Sequence, residues 1–204
     1  MQIETHWFGR KSFIEGESLQ REFAEKARVD EQGYLLGFEF NPVITLGKRG
    51  HVAKDLMCTP SQIEQKGIEI QCIARGGQAT LHSHGQTVIY PVLPLRSWNW
   101  GVKKYVRWLI DTTQESLKVL GIETQEYSEP GLYTPVGKIA FFGVRIVQGI
   151  SQYGISINTA NDLEEFAVIR SCGKSCENFD RISNHKPHVT VGDAFSAWTA
   201  QIRI

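Results

Sequence analysis

The sequence predicts a domain of the α+β or mixed α/β class. Segments with strand-like alternation are interleaved with segments of helical periodicity, and several strands are joined by short hairpin links. The chain has 204 residues, of which 41% are hydrophobic and 22% are charged. That length is enough to bury one core without disulfides or metal ions, so residues 1–204 are predicted to form a single domain.

Three segments have apolar residues spaced three or four positions apart, as on one face of a helix. They are residues 12–28, 101–120 and 189–204. The middle segment has the clearest apolar stripe and is followed by Gly121, a residue type that commonly ends helices. Shorter helical turns are predicted after Thr59, which precedes Pro60, and after Asp162.

The predicted strands are rich in β-branched and aromatic residues and are bounded by glycine, proline or asparagine. They cover residues 34–40, 43–46, 68–73, 87–93, 138–147 and 154–158. The last two are predicted to be joined by a turn near Gly149.

Composition excludes several functional classes. Lysine plus arginine and aspartate plus glutamate both number 22, so the chain lacks the basic surplus of an unspecific nucleic-acid binder. No apolar run approaches the roughly 18 residues of a membrane span, and the N-terminus does not resemble a signal peptide. We therefore expect a cytoplasmic protein that contacts no membrane and whose four cysteines are free thiols.

A glycine-rich segment, Arg75-Gly-Gly-Gln-Ala-Thr-Leu-His82, follows one predicted strand. Adjacent glycines let a ligand pass close to the backbone or allow a sharp bend. The segment lacks the lysine of a phosphate-binding loop and does not fit G-x-G-x-x-G, so it does not predict a nucleotide site. Taken alone, it fits a plain turn with a surface arginine equally well.

Lys138 stands in an otherwise apolar run, Val136-Gly-Lys-Ile-Ala-Phe-Phe-Gly143. On a partly buried strand a lysine loses hydration and its pKa falls. Next to a cysteine, such a lysine favours the thiolate or accepts and returns its proton. The alternative is an edge-strand lysine that discourages sheet pairing.

Cys172 lies between Ser171 and Gly173, where a backbone N–H could stabilise an oxyanion. Cys176 is a less favourable nucleophile because the carboxylate of Glu177 would raise its pKa. Most free cysteines are only small buried hydrophobes, which is the alternative for Cys172. Lys138, Cys172 and the glycine-rich segment together predict an enzyme that carries an acyl group on Cys172.

Two further patterns are less specific. The residues His82, His84, Cys172, Cys176, His185 and His188 do not have the usual spacing of zinc ligands, so no metal is expected. Basic clusters occur at Lys48 and Arg49 and at Lys103, Lys104 and Arg107. Such charges are usually only solvated, but they could also steer an acidic protein partner.

In sequence, the chain resembles the lipoate-biosynthesis octanoyltransferases. The strings R-G-G-Q-x-T-x-H, then K-I-A, then C-G carry the resemblance in that order. The matching pieces are Glu39-Phe-Asn-Pro-Val-Ile-Thr-Leu-Gly47, Gly67-Ile-Glu-Ile70, residues 75–82 with Gly85-Gln86, Tyr90-Pro91, Tyr105-Val-Arg107, Gly131-Leu-Tyr133, Lys138-Ile-Ala140 with Gly143-Val-Arg145, residues 154–158, Asp162-Leu163 and Cys172-Gly173.

The resemblance implies a fold like that of the biotin/lipoate protein ligases, with a mixed sheet flanked by helices. It implies that Cys172 holds the acyl group as a thioester and that Lys138 lowers the pKa of this thiol. It also implies an acyl-chain pocket lined by Arg75, Gly76, Gly77, Gln78, Ala79, Thr80, Leu81, His82, Phe141, Phe142, Gly143, Gly154, Ile155 and Ser156.

By the same resemblance, the donor is octanoyl-acyl carrier protein. The acceptors are lysines on lipoyl domains of 2-oxoacid dehydrogenases and on the glycine cleavage H protein. No cofactor is expected, because a thioester is already activated. Two alternatives remain open: an ATP-dependent lipoate or biotin ligase, and a non-catalytic acyl-binding protein of the same fold.

The chain departs from the family pattern at several positions. The family usually has histidine where Phe40 and Tyr153 stand, alanine where Ser156 stands, and proline where His84 and Ser171 stand. An acidic residue is common where Ile110 stands. None of these departures removes the predicted lysine and cysteine.

Overall fold

A computed structural model describes residues 1–127, 130–170 and 178–204 of the chain. Its strands are β1 Ile3–Lys11, β2 Gly33–Phe40, β3 Val43–Leu46, β4 Glu69–Cys72, β5 Ala79–His82, β6 Gln86–Val92, β7 Leu132–Tyr133, β8 Lys138–Val147 and β9 Ile150–Asn158. Its α-helices are α1 Phe13–Asp30, α2 Val52–Asp55, α3 Pro60–Gln65, α4 Val102–Val119 and α5 Val191–Thr199, with 3₁₀ helices at Leu163–Val168 and Ile182–Asn184.

The strands form a six-stranded and a three-stranded sheet. The larger has the order β1-β2-β6-β9-β8-β7, in which β1 and β2 are parallel and all other neighbours antiparallel. The smaller has the order β4-β3-β5, with β3 parallel to β4 and antiparallel to β5. Mixed sheets with flanking helices confirm the predicted fold class.

Helices cover both faces of the larger sheet. One core cluster joins the apolar residues of α1 to β2 and β6. A second cluster, on the opposite face, joins α4 and α5 to β8 and β9, and we call it the α4-side core. A third cluster packs the smaller sheet against Phe141 and Phe166. The smaller sheet therefore lies next to β8, and the space between the two sheets is where a cavity can form.

Most predicted elements are present with small changes of boundary. α1 begins after Ser12, whose side chain forms a reciprocal capping box with Glu15, and Thr59 caps α3 in the same way. The terminal helix is shorter than predicted, because it begins after Thr190 and ends at Thr199. Ile202 therefore lies beyond it, although Ala194 and Trp198 are buried as their spacing predicts.

Three strands are absent from the sequence-based prediction. β1 lacks clean alternation because it is an edge strand with mixed exposure, paired only with β2. β5 lies within the glycine-rich segment, and β7 has only two residues. β9 begins at Ile150, four residues earlier than predicted, because Gln148 and Gly149 form a two-residue hairpin turn with positive φ at both positions.

Two glycines with left-handed backbone provide a matched test of packing. Gly67 has φ +73° and open space where a Cβ would be added, whereas Gly85 has φ +81° and a Cβ there would lie 2.6 Å from the backbone nitrogen of Asn161. We expect Gly67→Ala to cost about 1–2 kcal/mol from backbone strain alone. Gly85→Ala should cost a further 1–3 kcal/mol or so from the clash. Urea unfolding of both variants measures the difference, and equal free energies of unfolding would contradict the packing at Gly85.

Candidate active site

A narrow cavity lies between the two sheets, with about 30 Å³ of space open to the centre of a water-sized sphere. Its walls come from the end of β4 and the following loop, from β5, and from the central strands β6, β8 and β9. The lining residues are Ile73, Arg75, Thr80, His82, Val88, Tyr90, Phe141, Phe142, Gly143, Tyr153, Gly154, Ile155 and Ser156.

The glycine-rich segment contributes only alternate residues to this cavity. Thr80 and His82 line it, whereas Ala79 and Leu81 pack into the core of the smaller sheet. Successive side chains of a strand point to opposite faces, so β5 can present only half of its residues. Gly76, Gly77 and Gln78 are likewise outside the lining set.

Gly76 and Gly77 shape the turn that precedes β5. The Gly76 nitrogen donates to the Val144 carbonyl, and the Gly77 carbonyl accepts from the Arg49 nitrogen. Gly77 has φ +90°, a conformation that favours glycine. The structure therefore gives these glycines a role in the turn and not in the lining of the cavity.

Phe141 and Phe142 both border the cavity, but their rings enter different cores. Phe141 stacks on Phe166 with ring centroids 5.5 Å apart, in the core of the smaller sheet. Phe142 packs against the α4-side core. Because only Phe141 faces the smaller sheet, its ring is the one that can form an apolar wall.

Gly143 and Gly154 face each other across β8 and β9. A Cβ on Gly143 would lie 3.0 Å from the Cδ of Arg75, so this glycine leaves room for the arginine side chain. A Cβ on Gly154 would meet Pro91 Cδ at 2.5 Å. Gly154 is therefore required by packing within the sheet.

Arg75 is buried and binds the smaller sheet. Its guanidinium donates to the Thr45 carbonyl and hydroxyl, both at 2.8 Å, and to the Gly76 carbonyl at 2.8 Å. The charged group therefore holds one wall of the cavity to β3, instead of lying on the surface as a plain turn would allow.

A chain of buried amides links His82 to the backbone beside Lys138. Asn158 Nδ2 donates to the Asp180 carbonyl at 3.0 Å, so its Oδ1 faces Gln86, whose Nε2 donates to it at 3.0 Å. The Gln86 Oε1 then lies 2.7 Å from His82 Nδ1. Since a carbonyl can only accept, each amide is oriented in turn and Nδ1 of His82 must carry a proton.

The same chain determines what His82 offers to the cavity. Burial lowers the pKa of His82 to about 4, an effect that the hydrogen bond to Gln86 opposes and the charge of Arg75 reinforces. At neutral pH the ring is therefore uncharged, with its proton on Nδ1. Nε2 is left as a hydrogen-bond acceptor in the cavity wall.

Lys138 is fully buried at the start of β8. It is not an edge-strand residue, because it pairs with Tyr133 of β7 on one side and with Phe179 on the other. Its Nζ lies 5.3 Å from the centre of the Tyr133 ring and 5.1 Å from that of Phe141. Lys138 is outside the lining set of the cavity, but it contacts the Phe141 ring that forms one wall.

Cys172 and Cys176 lie outside the described residues. The described residues on either side of their segment are hydrogen-bonded to other parts of the fold. Before it, the Arg170 nitrogen donates to the Asp55 carbonyl; after it, the Asn178 carbonyl accepts from the Lys138 nitrogen at 2.8 Å. The first described residue after the segment with the predicted nucleophile is thus bonded directly to Lys138.

Asp180 anchors that end of the segment. Its nitrogen donates to the Lys138 carbonyl, and its buried carboxylate accepts hydrogen bonds from Thr134, Asn184 and His185. Burial acts to raise the pKa of Asp180, but these hydrogen bonds outweigh it and hold the pKa below its usual value. Sequence reasoning missed Asp180, because a single aspartate in a polar stretch carries no recognisable pattern.

Four lining residues were also missed: Ile73, Val88, Tyr90 and Tyr153. Tyr90 stood in one of the matching motifs but was not assigned to the site. Ile73 and Val88 were missed because they lie in predicted strands and carry no feature of a binding site. Tyr153 was missed because it comes just before the predicted start of its strand. Alternation along β6 could have placed Val88 and Tyr90 on one face.

The histidine pair does not form a metal site. His82 is buried at the end of β5, whereas His84 is exposed in the following turn, so they do not share a strand face. Within residues 1–127, 130–170 and 178–204, no group of three or more potential ligands is arranged to hold a metal ion. Over the same ranges, Cys58 and Cys72 are free thiols, and no helix has the length and apolarity needed to cross a membrane.

Known proteins resemble this chain in both sequence and structure. The sequence profile of the lipoyl protein ligase A/B catalytic domain matches residues 15–201. An octanoyltransferase of Acidobacterium capsulatum is 34% identical over 82% of this chain and 74% of its own length. That of Dichelobacter nodosus is 32% identical over 93% and 92%. A lipoate-protein ligase A bound with ATP has the same fold, with a TM-score of 0.77 at 14% identity over 98% of this chain and 84% of its own. The chain therefore belongs to the lipoyl protein ligase A/B catalytic domain family.

Proposed function

We propose that this protein is an octanoyltransferase of lipoate biosynthesis, acting in the cytoplasm with Cys172 as nucleophile. The relatives named octanoyltransferase support the reaction class, since two of them are 34% and 32% identical to this chain over 82% and 93% of its length. The observation that carries the catalytic assignment is Lys138. This lysine is buried against a wall of the cavity, and its backbone is hydrogen-bonded to Asn178, six residues after Cys172. Both features support a role in assisting a thiol.

The reaction divides into two transfers. In the first, Cys172 gives its thiol proton to Lys138, and the thiolate attacks the octanoyl thioester of acyl carrier protein. A new carbon–sulfur bond forms, the bond from the acyl carbon to the phosphopantetheine sulfur breaks, and this sulfur takes the proton back from Lys138. In the second, the ε-amine of a lysine on a lipoyl domain attacks the Cys172 thioester. The amide forms and the bond from the acyl carbon to the Cys172 sulfur breaks. The proton lost by the amine passes to the cysteine thiolate or to Lys138.

The lining of the cavity suits the hydrocarbon part of this substrate. Ile73, Val88 and Phe141 provide apolar surface along it. Burying each methylene contributes about 0.8 kcal/mol, so even a few methylenes favour a long chain over a short one. Lipoyl domains and the glycine cleavage H protein remain the acceptors that we propose.

Two other functions are compatible with the fold. An ATP-dependent ligase would form an acyl adenylate, and it would not need a nucleophilic cysteine. A non-catalytic acyl-binding protein would leave Lys138 and Cys172 without a role. Octanoyl transfer from acyl carrier protein to a lipoyl domain in the absence of ATP would distinguish our proposal from both.

Replacing each candidate nucleophile separately tests the cysteine assignment. We expect Cys172→Ser to abolish the octanoyl adduct that forms with octanoyl-acyl carrier protein, because a serine hydroxyl is not ionised at neutral pH. Cys176→Ser should retain the adduct. Intact-mass analysis of both variants measures it, and loss of the adduct only in Cys176→Ser would reverse the assignment.

Lys138→Met tests the lysine while keeping an unbranched buried side chain. Octanoyl transfer should fall about 100-fold or more, the usual scale for a lost acid–base group. The alkylation of Cys172, followed on its tryptic peptide, should also require a higher pH because a cation that favours the thiolate has gone. Lys103→Met removes an exposed lysine of α4 and is the matched control. An unchanged alkylation profile in Lys138→Met would exclude the proposed role.

The donor is expected to approach over the loop that carries Lys48 and Arg49. Both side chains are exposed, and the loop is bonded to the cavity segment through the carbonyls of Arg75 and Gly77. Neither makes an ion pair with any residue that the structure describes. Their charges are therefore available to an acidic carrier protein.

Charge reversal tests this approach. Lys48→Glu with Arg49→Glu should lower kcat/KM for octanoyl-acyl carrier protein about tenfold or more at low salt, and the loss should shrink as salt is added. The pair Lys103→Glu and Lys104→Glu on α4 is the control. Acylation by a small octanoyl thioester should be unchanged in both double variants; an equal loss with that substrate would show that the loop acts on the site itself.

A further inference from the structure

We infer that Tyr153 forms the end wall of the acyl cavity and limits the length of the chain that it accepts, and that α1 holds this tyrosine in place. The inference rests on the proposed function, because it assigns the cavity to an acyl chain. It concerns which chain is used, whereas the proposed function concerns whether any acyl group is transferred through Cys172.

The side chain of Tyr153 is on the unexpected face of its strand. Along β9, Ile155 and Ile157 point into the α4-side core. Alternation would send Tyr153 to the same face, where Val144, its partner across β8, also packs. Tyr153 instead belongs to the core under α1 and lines the cavity.

The backbone explains this reversal. Tyr153 has φ +55°, in the left-handed region that aromatic residues rarely occupy. Such conformations persist only where the surroundings impose them, and they cluster at functional sites. With regular alternation, β9 would present only Gly154 and Ser156 to the cavity from this face of the sheet. The reversal at Tyr153 adds a large aromatic ring to that part of the lining.

Helix α1 supplies the contacts that hold this conformation. Gln20, a buried residue of α1, accepts a hydrogen bond from the Tyr153 nitrogen through its Oε1. Glu17, one turn earlier, accepts from the Tyr153 hydroxyl at 2.7 Å. The ring also packs edge-on against Tyr90, with centroids 5.6 Å apart. Both ends of the residue are thus bonded to one helix.

Tyr153 lies at the end of the cavity remote from Lys138. Lys138 contacts the Phe141 ring, and the facing pair Gly143 and Gly154 lies further along the same two strands. Gly143 is five positions after Lys138, which corresponds to roughly 16 Å of strand. An acyl chain with its carbonyl near Lys138 therefore directs its methyl end towards Tyr153.

Tyr153→Gly is the direct test, because glycine accepts the left-handed backbone and removes the ring. Octanoyl- and dodecanoyl-acyl carrier proteins compete for the variant and for the wild type. We expect the ratio of kcat/KM for dodecanoyl over octanoyl to rise at least tenfold in Tyr153→Gly, since each methylene that gains room contributes about fourfold. Tyr153→Phe, which keeps the ring, should retain the wild-type ratio within about threefold.

Tyr34→Ala is the matched control. Tyr34 is a buried tyrosine in the same core cluster, and its hydroxyl likewise donates to a carboxylate of α1, that of Asp30, but it does not line the cavity. Its loss should lower the free energy of unfolding and leave the chain-length ratio unchanged. If Tyr153→Gly does not fold, Tyr153→Asn replaces it, because asparagine also tolerates this conformation.

The outcomes separate the two proposals. A folded Tyr153→Gly or Tyr153→Asn that transfers octanoyl groups with the wild-type chain-length ratio would overturn the end wall and leave the proposed function intact. A similar rise of the ratio in Tyr34→Ala would also overturn it, because a loosened core would then be the cause. Wild-type protein that forms no acyl-cysteine with either donor would instead refute the proposed function.

Discussion

The burial of Lys138 is the constraint on which the arrangement of the site depends. An amine of this kind is costly to remove from water, so its surroundings must be fixed in detail. Its backbone is bonded on one side to Asn178 and Asp180, and the rings of Tyr133 and Phe141 flank its Nζ. Holding the lysine therefore also holds Asn178, the first described residue after the segment that contains Cys172.

Asp180 connects this constraint to His82 in the cavity wall. Its nitrogen binds Lys138, its carboxylate binds Thr134, and its carbonyl starts the amide chain that ends at His82. A single residue thus positions Lys138 and also Thr134, the residue that follows β7. Through the amide chain it also determines which ring nitrogen of His82 carries the proton. A buried hydrogen-bond network is stable only when every polar group in it has a partner. A substitution at Asp180 is therefore expected to disturb both Lys138 and His82.

The sequence allowed prediction of what depends on local pattern. Most strands and helices follow from periodicity, and Lys138 stood out as one charge in an apolar run. The split of β5 into cavity and core residues follows from alternation, but only once the glycine-rich segment is known to contain a strand. The amide chain could not be foreseen, because Gln86 and Asn158 are 72 positions apart and meet only in the folded sheet. Tyr153 breaks alternation, so pattern reasoning would have assigned it to the wrong face.

Two departures from the family pattern, Phe40 and Tyr153, prove to belong to one structural unit. Both rings pack against Tyr90, with centroids 5.9 and 5.6 Å away. Both also depend on the same stretch of α1. A Cβ on Gly16 would lie 2.5 Å from the Phe40 ring, and the next residue, Glu17, binds the Tyr153 hydroxyl. A histidine at either position would present a smaller and more polar ring to this stretch of the helix. The residues of α1 therefore hold both aromatic side chains against Tyr90, although only Tyr153 lines the cavity.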